Sequence, residues 1–192
     1  MRISGGLAKG RKTATKRLFS KSSEGEELRP TSSKVREALF DIIKEKIEGA
    51  TFVDLYAGTG TVGLEALSRG AKKAIFVEQN ALRFKAIRRN ADEFGFKEKA
   101  LVVSGSVYEF LKKTSAANES FDIFFLDPPY HSEEINKVLP LIGEKGLLSE
   151  NGLVIVEHFF KKKMSETSDK LKRSRSYRYG DTMLTLYRKV RL

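Results

Sequence analysis

The 192-residue chain contains no cysteine, which excludes disulfides and thiolate metal sites and favours a reducing compartment. Histidine is almost as scarce: His131 and His158 stand alone, without the spacing of a metal site, so both are expected to be structural and no metal is expected. No stretch approaches the roughly 18 apolar residues that a membrane-crossing helix needs. The opening Met-Arg-Ile-Ser-Gly-Gly-Leu-Ala-Lys-Gly-Arg-Lys lacks the apolar segment of a secretory leader. A cytoplasmic protein with no membrane association is the expectation. Internal repeats and long low-complexity linkers are also missing, and the length suits one domain with a small appendage.

Acidic residues are absent from residues 1–21, where Arg2, Lys9, Arg11, Lys12, Lys16, Arg17 and Lys21 carry all the charge. Across the whole chain, 36 basic residues outnumber 25 acidic ones, and the net charge of +11 points to a polyanion such as nucleic acid or an anionic surface. With Gly5, Gly6 and Gly10 among its cations, the beginning reads as a flexible or hairpin-like arm able to follow a phosphate backbone, or else as a solvated tail. Residues 1–30 are assigned to this basic arm and 31–192 to the folded domain.

What the sequence does contain is a run at residues 52–65, Phe-Val-Asp-Leu-Tyr-Ala-Gly-Thr-Gly-Thr-Val-Gly-Leu-Glu. It predicts a buried strand over 52–56, a sharp turn through Ala57, Gly58, Thr59 and Gly60, and a helix starting near Thr61. Glycine lets a ligand lie against the backbone, and the N–H groups at the helix start can donate to it. The spacing Gly58-x-Gly60-x-x-Gly63 matches the dinucleotide template, so a nicotinamide or flavin cofactor is one reading. Asp54 points elsewhere. A carboxylate just ahead of the turn suits a ligand with an ammonium group, which S-adenosylmethionine has and NAD lacks. Glu78, closing the apolar run 74–77, can take both ribose hydroxyls of either cofactor.

Along the chain, a helix of about fifteen residues over Val35 to Ile47 is expected to end at Gly49, with Thr31 or Ser32 as its cap. Arg29 and Arg36 lie near its start, where RNA phosphate contacts and surface ion pairs are equally open. Further strands are predicted at 74–77, 101–103, 121–126 and 153–157, with helices over 80–94, 107–113 and 134–142 between them. Residues 146–152 read as a turn region. The tail from 160 reads as basic and Ser-rich until strands at 176–179 and 183–188 meet at Gly180-Asp181 as a hairpin. Strands alternating with helices indicate an α/β doubly wound sheet, which binds ligands at the carboxyl ends of its strands. Ala57 to Gly60, Glu78, Ser106 and Asp127 all come from such ends. The Ser106 hydroxyl could reach an adenine edge or cap the following helix.

Asp127-Pro128-Pro129-Tyr130, delivered by the apolar strand 121–126, bears on the chemistry. A base's exocyclic amine is a poor nucleophile, because its lone pair is delocalised into the ring. Two acceptors, an Asp127 oxygen and the Pro128 carbonyl, can draw the nitrogen toward tetrahedral geometry and aim its lone pair. The paired prolines hold that carbonyl rigidly. Tyr130 offers a face on which an extruded base can stack. Guanine's N1 and N2 edge presents only donors, which suits an aspartate, whereas adenine would suit an asparagine better.

These blocks, with Val53-Asp54-Leu55-Tyr56-Ala57-Gly58-Thr59-Gly60, Leu28-Arg29-Pro30-Thr31, Val35-Arg36-Glu37-Ala38-Leu39-Phe40 and Tyr179-Gly180-Asp181-Thr182, resemble the bacterial small-subunit (16S) ribosomal RNA guanine-N2 methyltransferases over nearly the whole chain. The resemblance implies a class I methyltransferase fold: a Rossmann-like, mostly parallel seven-stranded sheet with a C-terminal antiparallel hairpin. It implies S-adenosylmethionine as donor and N2-methylguanine in ribosomal RNA as product. By position it assigns Asp54, Gly58, Gly60, Glu78 and Ser106 to the cofactor and Asp127, Pro128 and Tyr130 to the base. Relatives often carry Asn or Asp where this chain has Ser106. The expected partner is ribosomal RNA or a small-subunit particle, met by a monomer through Arg2, Lys9, Arg11, Lys12, Arg29 and Arg36. The rival readings are an adenine-N6 methyltransferase on RNA or DNA, a non-catalytic RNA-binding assembly factor and a nucleotide-dependent oxidoreductase.

Overall fold

Each short apolar run becomes a parallel strand because the helix after it carries the chain back across the sheet, where both partners bury their apolar faces. The computed structural model describes residues 1–13, 31–116, 119–129 and 132–190. In order these form α1 (Ser33–Ile42), α2 (Lys44–Ile47), β1 (Thr51–Asp54), α3 (Thr61–Ser68), β2 (Lys73–Glu78), α4 (Ala81–Glu93), β3 (Ala100–Ser104), α5 (Val107–Ala116), β4 (Phe121–Leu126), α6 (Glu134–Glu144), β5 (Leu148–Phe159), β6 (Thr167–Ser168), β7 (Leu171–Tyr179) and β8 (Thr182–Lys189). The sheet order is β3-β2-β1-β4-β5-β8-β7-β6, parallel from β3 to β5 and antiparallel beyond. Seven of these strands are those expected; β6 adds a two-residue edge. The order reverses between β1 and β4, the switch point at whose carboxyl ends sheets of this kind form their ligand cleft.

Strand alternation divides the interior into two cores. Phe52, Phe76, Phe125 and Ile155 pack with Leu39, Leu64 and Ile87 from α1, α3 and α4. Val53, Val77, Phe124 and Val156 pack on the opposite face with Leu111, Val138 and Ile142 from α5 and α6. Each side chain of this kind, fully buried, contributes roughly 1.5–3 kcal/mol. The helices start where their caps stand: Ser32 accepts from the Val35 N–H, and Asn80 accepts from those of Leu82 and Arg83.

Three expectations are corrected. The single helix over 35–47 is broken at Ile43, which leaves the helical conformation at φ −99° and ψ 9°. Residues 148–152, expected in a turn, belong to β5, and the pairing with β4 shifts between Phe121 and Ile123 to absorb them. The outermost long strand starts at Leu171 instead of 176, because an exposed edge strand with one buried apolar residue shows no alternation to read.

Residues 1–13 form a small hairpin, with the Ile3 N–H bonded to the Arg11 carbonyl at 3.0 Å and the Gly10 N–H to the Ile3 carbonyl at 2.9 Å. It is docked on the end of α3. Ile3 and Ala8 are buried, the Leu7 N–H donates to the Ser68 carbonyl at 2.7 Å, and the Ser68 hydroxyl donates to the Gly5 carbonyl at 2.6 Å.

Candidate active site

The glycine turn leaves β1 after Asp54 and enters α3 with Gly60 at φ 72°, a left-handed conformation that a side chain would strain. A Cβ on Gly60 would also meet Ile87 at 2.8 Å, and one on Gly63 would meet the Phe76 ring at 2.3 Å. Gly63 therefore serves the close packing of α3 on β2. Its N–H donates to Asp54 Oδ2 at 3.2 Å.

Asp54 is 1% exposed, and its Oδ1 has no hydrogen-bond partner. Burial, with Asp127 and Glu78 nearby, pushes its pKa up to about 8, against the lowering effect of the Gly63 N–H. A buried acceptor left open in this way fits a cationic group brought to the turn. Glu78, at the end of β2, accepts from the Gly58 N–H and from the Asn80 N–H, both at 2.8 Å, with Arg83 at 3.9 Å. The buried carboxylate thus pins the turn at the end of β2. Thr59 and Thr61 bond to each other at 2.8 Å and lie 3.8 and 3.6 Å from the Met1 sulfur, which brings the docked hairpin to the edge of the turn. Ala57 is buried and donates its N–H to the Val77 carbonyl at 3.1 Å. The Ser106 hydroxyl accepts from the Glu109 N–H at 3.2 Å, the capping alternative of its two expected roles.

Asp127 follows β4 and is half-buried, with Pro128 buried and Pro129 exposed behind it. Its Oδ2 lies 3.2 Å from the Thr31 hydroxyl, which also lies 3.1 Å from Glu157 Oε2. Burial pushes the Asp127 carboxyl up to about 7 and Glu157 well above the ordinary carboxylate range, the Thr31 bond opposing both shifts. Glu78, Asp54, Asp127 and Glu157 thus stand at or just past the carboxyl ends of four neighbouring strands. Among the described residues no group of acidic or histidine side chains could hold a metal ion. Thr31 and Glu157 did not stand out in the sequence as site residues. The available signal was positional, since Glu157 ends a buried parallel strand as Glu78 does.

Arg36 is corrected from an RNA contact to a buried structural cation. It is 2% exposed, pairs with the fully buried Glu65 at 2.6 Å, and donates to the Arg2 carbonyl at 2.8 Å. Glu65 also binds Arg69 at 2.9 Å and accepts from the Ser4 hydroxyl, so the network ties the hairpin to α1 and α3. Arg2, Lys9, Arg11 and Lys12 are exposed on that hairpin; Arg11 reaches the Glu93 carbonyl at 3.0 Å. Arg29, Tyr130 and His131 lie outside the described residues. His158 is structural, its ring held by the Phe159 carbonyl at 2.9 Å and the Thr185 hydroxyl at 2.8 Å.

Strand order, glycine turn and acidic strand ends together define the fold of the S-adenosylmethionine-dependent methyltransferases; solved structures of this fold at 17 and 18% identity and a TM-score of 0.62 hold S-adenosyl-L-homocysteine. More particularly, the chain belongs to the family described as "Conserved hypothetical protein 95", whose model matches residues 1–188. It is 32% identical to a candidate rRNA methyltransferase of Bacillus subtilis, YlbH, over 98% of this chain and 99% of that relative. It is 37% identical to the ribosomal RNA small subunit methyltransferase D of Haemophilus influenzae, over 82% of this chain and 78% of the relative. A candidate methylase of Haemophilus influenzae, solved by crystallography, matches with a TM-score of 0.80 and 29% identity, covering 100% of this chain and 99% of that one.

Proposed function

We propose that this protein transfers a methyl group from S-adenosylmethionine to the exocyclic N2 amine of a guanine in small-subunit ribosomal RNA. The observation that carries the reading is Asp127, an acceptor at the cleft beside the unpartnered Oδ1 of Asp54, on two adjacent strand ends. The names of the relatives, rRNA methyltransferases, support the RNA substrate.

When bound, S-adenosylmethionine supplies a methyl group on a sulfonium, whose S–C bond breaks with its electron pair left on sulfur as the amine nitrogen bonds to carbon. Asp54 would hold the ammonium end, Glu78 the ribose, and residues 57–60 the backbone cradle, with Ser106 toward the base of the cofactor. Asp127 accepts from the target amine with the Pro128 carbonyl beside it, concentrating the lone pair on nitrogen. It is also the group able to take the proton that the amine must lose. An Asp127 carboxyl with its pKa up at about 7 is ionised in only part of the molecules at neutral pH, so transfer should rise with pH through that region. Tyr130 stacks the extruded base, and the exposed cations of the hairpin, Arg2, Lys9, Arg11 and Lys12, hold RNA phosphates together with Arg29.

The deciding experiment supplies labelled S-adenosylmethionine with small-subunit RNA and with particles lacking the modification, followed by nucleoside mass analysis. N2-methylguanosine is the expected product. N6-methyladenosine would refute the base, and absence of transfer to either substrate would refute the activity. Asp127→Ala should abolish transfer while leaving donor affinity within a few fold; loss of donor binding in that variant would overturn the role given to Asp127.

A further inference from the structure

Thr31 Oγ1 lies 3.2 Å from Asp127 Oδ2 and 3.1 Å from Glu157 Oε2, yet a hydroxyl has one proton. It can donate fully to one carboxyl only. Were both carboxyls ionised, the second contact would set two acceptors against each other in a buried place. No basic side chain among the described residues forms an ion pair with either carboxyl. The charged neighbour on β1, Asp54, is itself acidic. The residue across from Glu157 on β8 is Leu184, and His158 is bonded to Thr185 and to its own neighbour's carbonyl. Among the described residues nothing packed around the pair supplies a positive charge, which leaves the missing proton to one of the two carboxyls. The deeper of them is Glu157, 5% exposed at the end of β5, whereas Asp127 is half-buried at the cleft.

We propose that Glu157 is held as the neutral acid and, through Thr31, acts as a positioning residue for Asp127: the Glu157 carboxyl donates to Thr31 Oγ1, and the Thr31 hydroxyl donates to Asp127 Oδ2. One proton then fixes three side chains in series. The chain commits Asp127 Oδ2 to the protein and leaves Oδ1 to meet the target amine. Above the pH at which Asp127 ionises, it also places the pair's single negative charge on the residue at the cleft. Burial raises the proton affinity of both carboxyls and the Thr31 bond opposes the rise at both; at Glu157 the neighbouring Asp127 adds a further upward push. The inference rests on the proposed methyl transfer for what Asp127 acts upon, but the location of the proton does not.

Two measurements test it. Infrared spectra of the full chain at pH 7, without RNA, should show neutral carboxyl absorption that is partly lost in Glu157→Gln; a variant retaining all of it would place the proton elsewhere and overturn the proposal. In methyl transfer, Glu157→Gln keeps a donor for Thr31 and should hold kcat within a few fold. Glu157→Leu removes the donor and should lower kcat on the order of 10- to 100-fold. Thr31→Val should move the acid limb of the pH profile to higher pH, with donor affinity unchanged in all three variants. Glu157→Gln falling as far as Glu157→Leu, or an unmoved acid limb in Thr31→Val, would refute the chain. If the unaltered protein makes no N2-methylguanosine, the reading of function fails while the infrared result still decides where the proton sits.

Discussion

Asp54 offers the sharpest quantitative consequence of the site. Its carboxyl is 1% exposed, with Oδ2 bonded to the Gly63 N–H, Oδ1 unpartnered and the pKa pushed up to about 8 by burial. In the ligand-free protein it is therefore mostly neutral at pH 7. An ammonium brought to Oδ1 favours the carboxylate and expels the proton. A pKa of about 8 leaves about 0.9 of these carboxyls protonated at pH 7 and about 0.1 at pH 9. Binding of S-adenosylmethionine should thus release about 0.9 proton at pH 7, where the donor's own ammonium is still largely charged, and affinity should rise about tenfold from pH 6 to pH 7; above about pH 8 the donor's amino group itself deprotonates and the rise ends. Titration calorimetry in two buffers of different ionisation heat counts these protons directly. Asp54→Asn should abolish this release and weaken binding about 10- to 100-fold, as expected for one charge-assisted hydrogen bond of about 1.5–3 kcal/mol. The linkage to folding has a definite sign. The folded state holds the proton up to about pH 8 and the unfolded chain only to about pH 4, so ligand-free stability falls as pH rises across that window and the fall is smaller in Asp54→Asn. Equal proton release from the variant and the unaltered protein would refute the reasoning.

Three further outcomes follow from packing and charge. Arg36→Leu leaves buried Glu65 with Arg69 as its remaining cation and unties the hairpin from α1, and should cost about 3 kcal/mol in urea unfolding; the double variant with Glu65→Leu should recover part of that loss. Gly63→Ala puts a methyl 2.3 Å from the Phe76 ring and should cost about 1–3 kcal/mol, read in the same assay. Lys9→Glu with Lys12→Glu, both exposed on the hairpin, should weaken RNA binding and flatten its salt dependence without altering donor affinity; an unchanged salt slope would clear the hairpin of that role.

The central parallel strands were legible because they are buried on both faces and read as unbroken apolar runs; residues 121–126 were bounded correctly for that reason. The upstream part of β7 was not, since its solvent-facing Lys172, Ser174 and Arg175 mask the pattern before 176. At the candidate site, Asp54 and Glu78 were singled out because a glycine turn flags the strand before it and rhythm flags the strand after it. Arg36 was misread because one buried cation looks the same in sequence as a surface one. Its partner, Glu65, sits 29 residues away, and only the crossing of α1 and α3 brings the two together. Thr31 and Glu157 are separated by 126 residues, and neither carries a motif of its own.

The chain's net charge of +11 conceals a division of sign that suits its proposed chemistry. Its exposed hairpin carries cations, while Asp54, Glu78, Asp127 and Glu157 line the strand ends at the cleft. A polyanion is drawn to the outside, where Lys9 and Lys12 stay solvated and can exchange counterions for phosphate. Inside, the groups to be held are a cationic sulfonium donor and an amine that offers protons, and an acceptor-only lining selects both. Such a lining is unstable if fully ionised, because four carboxylates, with Arg83 as their one ion-pair partner among the described residues, repel one another across a poorly solvated space. Protons on Asp54 and Glu157 relieve that repulsion in the ligand-free state. The Asp54 proton leaves when the donor's ammonium replaces it; the Glu157 proton stays and keeps Asp127 as the ionised acceptor at the amine.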